Sequence, residues 1–315
     1  MRSVLFAVIL SVMLLPGRAA EQAAASAADS AAVAAQEAKP EGLSAGANEI
    51  FHIGAFPVTN SMLVTWIVAL GVILFARFAT RHMKRVPEGA QNFWEWMVES
   101  LYGFLEGVVG PDLVKKTFWF FATIFIFIFF TNWFGLIPGV GTIGWGVSGP
   151  EGVEVTRPWL RGGNADLNMT SAMALIFMAL WLVWALQANG PWGFVKHIFG
   201  PKGDLSGILK YLMVVVFFLV GFIELLSIAF RPISLSLRLY GNIFAGESLL
   251  DAMSRTVQHP AWARAVFSAL LPVPFYFMEL LVGVVQALVF MLLTAVFTGV
   301  ICTHEEAPQQ AHHQV

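Results

Sequence analysis

Between Lys116 and Glu151 the chain carries no charged residue. A helix that crosses the roughly 30 Å hydrocarbon core of a bilayer needs about 20 mostly apolar residues, and residues 117–139 supply them. Comparable stretches occur at 58–78 and 167–188, at the start of 209–255, and within 267–301. Lipid offers no hydrogen bonds to backbone groups, so elements that cross it satisfy themselves as helices or closed barrels. Twenty-residue apolar runs select helices. Composition agrees: 57% of residues are hydrophobic and 12% charged, against about 25% charged in soluble domains. The expected fold is an all-α polytopic membrane protein. A net charge of -2 without a basic block gives no footing for nucleic acid, and one cysteine, Cys302, excludes an internal disulfide framework.

The ends of the chain have other patterns. "MRSVLFAVILSVMLLPGRAAEQ" has an early positive charge, a short apolar run and small residues at Gly17 and Ala19. That is the layout of a signal peptide over 1–19, and it places the mature N-terminus outside the cytoplasm. The Ala-rich stretch that follows, 20–50, has no apolar face to bury and reads as a disordered tether. A membrane domain over 51–306 and a short tail over 307–315 complete the organisation. Between the first two spans, Phe93, Trp94, Met97, Leu101, Phe104 and Leu105 recur at helical spacing opposite Glu95, Glu99 and Glu106. This predicts an amphipathic helix over 88–108 lying on the membrane surface.

Orientation follows from lysine and arginine. Arg77, Arg81, Lys84, Arg85, Lys115, Lys116, Lys196, Lys202 and Lys210 fall on one side. Arg157, Arg161, Arg255 and Arg264 fall on the other. Nine against four marks the first side as cytoplasmic, in accord with an exported N-terminus, and sets the C-terminus inside.

The last third is too long for upright spans. Helices over 209–255 and 263–301 would measure about 70 and 60 Å, twice the hydrocarbon thickness. A strongly tilted hairpin, bent near Pro232, resolves the excess. Its first arm carries Glu224, Ser227, Arg231, Ser234, Arg238 and Asn242 at steps of three or four, one stripe on one helix face. Glu247 and Asp251 continue the polarity on a shifted face; the second arm carries Glu279, Gly283 and Gln286. Arg231 suits an interfacial position with its charge in water, and Ser234 and Ser236 fit either the stripe or bonds to their own helix. Arg238, Glu247 and Glu279 lie far from any helix end, where an ionised side chain costs roughly 2.5–3.5 kcal/mol on insertion scales. Carboxylates withdrawn from water exchange protons near neutral pH, whereas arginine stays charged. The stripe therefore reads as two proton-exchanging ends separated by a fixed cation.

"SLSLRLYGNIFAGE" resembles the signature of subunit a of F-type ATP synthases, and "TNWFGLIPG", "ADLNMT" and "LVGVVQALVFMLLTAVF" resemble that family's other landmarks in the same order. The resemblance runs from about residue 51 to 306. It implies a non-catalytic stator subunit of the bacterial inner membrane that carries no cofactor or metal. It implies partners too: a rotating ring of c subunits whose carboxylates carry protons past Arg238, the b subunits of a peripheral stalk, and the rest of the synthase. Position by position, it implies an outer half-channel at Asn242, Glu247, Glu279 and Gln286. Glu224 and Ser227 match the cytoplasmic half-channel. Many members pair a histidine with a glutamate across the two arms; here both positions are glutamate, and no histidine lies in an expected span.

"GVGTIG" at 139–144 matches a dinucleotide-binding pattern but follows a membrane span and opens no βαβ unit, so it reads as a loop. The alternative function is a secondary proton-coupled transporter, which usually carries internal repeats; none is visible in the sequence. The topology is open to direct test. Cytoplasmic thiol reagents are expected to label cysteines placed at Lys84 and Lys202, and external reagents one placed at Arg157; the opposite labelling would overturn the orientation.

Overall fold

The computed structural model describes residues 46–54, 56–141, 143–149, 152–199, 208–256 and 261–302. The expected signal peptide, nearly all of the expected tether and the expected C-terminal tail lie outside them. Seven helices order the described residues: α1 (Asn60–Thr80), α2 (Ala90–Val109), α3 (Pro111–Gly135), α4 (Leu167–Phe199), α5 (Ile208–Arg255), α6 (Ala261–Leu270) and α7 (Pro272–Cys302). Two small antiparallel hairpins accompany them. β1 (Glu49–Ile53) pairs with β2 (Phe56–Thr59), so the last residues assigned to the tether are strand. A short strand, β3 (Pro138–Gly141), precedes β4 (Gly144–Gly149), which pairs with β5 (Gly152–Pro158).

Five helical stretches are long and apolar enough to cross a membrane. Leu70, Ile73 and Leu74 of α1, Leu175 and Ile176 of α4, and Phe218, Leu219 and Ile223 of α5 are exposed. In water so much apolar surface would drive association; on these helices it faces lipid. The chain is an all-α polytopic membrane protein, with the strand pairs confined to connections.

Local chemistry sets the boundaries. Thr59 caps α1 by accepting a hydrogen bond from the Met62 backbone N–H. Gly110 at φ 83° turns the chain between α2 and α3, and Pro111 opens α3 where its missing N–H costs nothing. Gly190, at φ 69° and ψ 164°, breaks α4 just before Pro191, so the span expected at 167–188 continues past a kink to Phe199. α5 stays helical through Pro232 for 48 residues, about 70 Å. The second arm, expected as one helix over 263–301, is two. α6 ends where the Leu271 N–H reaches the Phe267 carbonyl at 2.9 Å, and α7 starts afresh at Pro272.

α3 is the centre of the core. Its Phe120, Phe121, Ile124, Phe125 and Ile128 are buried with Phe177 and Trp181 of α4 and Phe290, Met291 and Ala295 of α7. Phe120 stacks on Phe177 at 6.5 Å, and Trp184 meets both Phe120 and Phe121 edge-on. α2 differs from the expected surface helix in one respect. Its Met97, Leu101, Leu105 and Val109 row is buried in the core shared with α3 and α7, while Phe93, Trp96 and Phe104 stay exposed. Only that narrower face is left for the membrane surface.

Two contacts fix the direction of the long hairpin. The Arg231 guanidinium of α5 lies 4.4 Å from the Phe297 ring of α7, and Gly246 abuts Glu279. Residues ascend on one arm as they descend on the other, so the arms are antiparallel. α4 meets α5 at Gly221, where an added Cβ would stand 2.6 Å from the Ile198 carbonyl oxygen and 2.6 Å from the Phe199 ring. Gly221→Val is expected to push α4 and α5 apart and cost about 1–3 kcal/mol, read as a lower melting temperature of the solubilised assembly. An unchanged melting temperature would mean this crossing is loose.

Candidate functional site

The chain segment before α4 is unusually polar and deeply set. Arg161, Gly162, Gly163, Asn164, Ala165 and Asp166 are all buried between the ends of α1, α3 and α5. Gly163 lies so tightly between α1 and α3 that a Cβ would meet the Thr65 hydroxyl at 2.8 Å and the Thr131 methyl at 2.9 Å. Each polar group here has a specific task. The Ser61 hydroxyl donates to Asp166 Oδ2 at 2.6 Å, and Asp166 Oδ1 accepts from the Asn168 backbone N–H at 3.0 Å. Asn60 Nδ2 donates to the Pro158 carbonyl at 3.0 Å, which ties the β5 end to α1.

Asn132 joins this segment to the hairpin. Its Nδ2 donates to the Gly283 carbonyl of α7 at 2.9 Å, and its Oδ1 accepts from Asn164 Nδ2 at 2.6 Å. A buried amide that bridges three elements positions them because breaking either bond leaves an unsatisfied polar group. Around this bridge lies a small cavity lined by Thr131, Asn132, Gly135, Gly162, Asn164, Glu247 and Glu279, among others. Its room for a water centre is about 10 Å³, the lower limit for one water molecule.

Three glycines make space for the two acids. Glu247 Oε1 occupies the place a Cβ would take at Gly162 and approaches Gly135. The Glu279 carboxyl likewise fills the place of a Cβ at Gly246. Glu279 is 4% exposed, and its Oε1 has no hydrogen-bond partner; neither does Asn164 Oδ1. Two buried oxygens without partners therefore border one water-sized space.

The other candidate residues stand apart. Arg238 and Asn242 are exposed on α5, in a row that flanks buried Leu235, Leu239 and Ile243. Among the described residues Arg238 makes no hydrogen bond or ion pair. Gln286 is half-buried, two helical turns beyond Glu279. Glu224 is half-buried and Ser227 exposed, about 35 and 30 Å along the helix from Glu247. Arg231, expected at the interface, is half-buried over the Trp181 and Phe297 rings at 5.6 and 4.4 Å, within electrostatic reach of Glu224. Ser236 donates to the Ile233 carbonyl at 3.2 Å, the local role.

Asn132, Asn164 and Arg161 were absent from the residues singled out by sequence. Signals existed: a Thr-Asn pair inside a charge-free apolar run, and "RGGNAD", small and polar throughout, at the head of a span.

Residues 62–299 match the family described as ATP synthase A chain. A protein named ATP synthase subunit a from Gloeobacter violaceus is 32% identical across 82% of this chain and 89% of its own length. A subunit of the same name from Moorella thermoacetica is 29% identical across 79% and 93%. One from Propionigenium modestum, named as sodium ion specific, is 31% identical across 77% and 73%. The chain belongs to the ATP synthase subunit a family.

Proposed function

We propose that this chain is the proton-translocating stator of an F-type ATP synthase in a bacterial inner membrane, with its mature N-terminus outside and its C-terminus in the cytoplasm. One observation carries the reading: on a helix long and apolar enough to span a membrane, Arg238 is exposed and, among the described residues, unpaired. A permanent cation at membrane depth needs an anion, and the described residues of this chain supply none within ion-pair distance. The anion is a carboxylate on a neighbouring ring of c subunits. Family membership and the lipid-facing surroundings of α5 support this assignment.

The path has two halves. Protons from outside reach Glu247 and Glu279 and pass along Asn242 and Gln286 to the ring carboxylate. After rotation they leave past Glu224 and Ser227. Arg238 separates the halves: it attracts each deprotonated carboxylate and repels protons that would hop straight across. The long arms, about 70 Å for α5 and 47 Å for α7, lie strongly tilted to fit a core of about 30 Å. The b subunits of the peripheral stalk hold the chain against the turning ring.

A proton crossing 100 mV releases about 2.3 kcal/mol, so several must be coupled without leakage. Arg238→Lys is therefore expected to abolish proton-driven ATP synthesis in an assembled complex, because a buried ammonium loses its proton where a guanidinium does not. Arg238→Ala is expected to let protons leak through the membrane sector once the catalytic head is removed, measured as passive conductance of stripped vesicles. Near-normal synthesis with Arg238→Lys would show that a fixed positive charge is not what this position supplies.

Glu279→Gln is expected to slow ATP-driven pumping into inverted vesicles roughly tenfold or more, since a positioned proton carrier is worth about 10²-fold, while the membrane stays tight. Pumping at the wild-type rate would remove Glu279 from the path.

A further inference from the structure

Arg161 is the one arginine of the described residues that is fully buried, at 5% exposure. Its position in the chain suggests a charge in an outer loop, yet its guanidinium is held inside. Nη1 donates to the Gly46 carbonyl at 2.6 Å and Nη2 to the Ala165 carbonyl at 3.1 Å, while Nε is buried without a partner. Two neutral carbonyls fix the group's position without cancelling its charge. The charge faces α5: Cζ lies 6.0 Å from the Phe244 ring, one turn before Glu247 on the same helix. Gly162, the next residue, packs its backbone against Glu247 Oε1. No ion pair closes within 4 Å, but the guanidinium and the Glu247 carboxyl interact electrostatically.

We propose that Arg161 is a positioning residue that acts through Glu247, holding it as the ionised member of the acid pair and leaving the pair's proton on Glu279. The surroundings make the two acids unequal. Around Glu247, α3 offers only neutral Thr131 and Asn132, and α5 itself offers Asp251. The loop offers Arg161, and Asp166, whose oxygens are taken by Ser61 and Asn168; α7 offers Glu279. Arg161 is thus the one cation in that set, and it lies on the Glu247 side. Glu279 sits against Gly246 with Oε1 buried and unpartnered, an environment that suits a neutral carboxyl far better than a carboxylate. An ionised acid ready to accept from outside, beside a protonated acid ready to donate inward, gives the pair a direction.

This inference rests on the proposed proton path, and its test separates the two. In the intact complex, Arg161→Gln keeps an amide donor for the carbonyls but loses the charge. Arg161→Lys keeps the charge but loses the fork that bonds both carbonyls. If charge is the contribution, ATP-driven pumping in inverted vesicles falls on the order of tenfold with Gln, the equivalent of about one pKa unit, and stays within about twofold of wild type with Lys. Equal losses in both, a greater loss with Lys, no loss with Gln, or failure of the Gln variant to assemble would each overturn the proposal and leave Arg161 as a structural tie or a bystander. Glu279→Gln, assayed alongside, reports on the path itself: if it pumps normally the path fails, whatever Arg161 does.

Discussion

Lipid supplies no hydrogen bonds, and this constraint organises the structure around its few buried polar groups. Several are satisfied at once by their own helix: Thr117, Thr131, Thr294 and Thr298 each donate to a carbonyl one turn back. The exceptions join elements. Asn132 ties α3 to α7 and to the loop before α4, Trp181 Nε1 ties α4 to the Phe297 carbonyl, and Asn189 Nδ2 ties the end of α4 to the Ile301 carbonyl. Apolar packing against lipid distinguishes poorly between one helix register and the next, because lipid tails are as apolar as leucine. These directional bonds therefore set the register on which the acid pair depends.

Much of the architecture was legible in the sequence because it rests on local chemistry. Five apolar stretches announce themselves by length, and the stripe from Glu224 to Asn242 follows from helical spacing alone. What was not legible depends on neighbours. Nothing local distinguishes the Met97, Leu101, Leu105 and Val109 row, which meets the core, from Phe93 and Phe104, which do not; the partner helices decide that. Counting arginines for orientation treats each as solvated, so Arg161 was read as a loop charge although two carbonyls hold it inside. The division of the second arm at Leu271 was missed because Pro272 and Pro274 sit in an otherwise apolar run, where a proline serves equally to start a helix or to kink one.

Three arginines on or beside the long helices receive three treatments. Arg231 spreads its charge over two aromatic faces with Glu224 in reach. Arg161 is fixed by backbone carbonyls and turned toward Glu247. Each has an acid of its own chain within electrostatic reach. Arg238 makes no hydrogen bond or ion pair with the described residues of its own chain. On the function proposed above, leaving it unpaired keeps it open to a carboxylate of a partner subunit.

The acid pair follows the opposite logic. Gly135, Gly162 and Gly246 leave gaps that the Glu247 and Glu279 carboxyls fill in place of methyl groups. Glycine in a helix interior costs roughly 0.5–1 kcal/mol relative to alanine, and Gly246 accepts that cost within α5. A tight seat restricts each carboxyl to few rotamers, and the bordering space admits about one water. Confinement by small residues on one side and a fixed cation on the other thus holds the two carboxyls in one arrangement around a space for about one water.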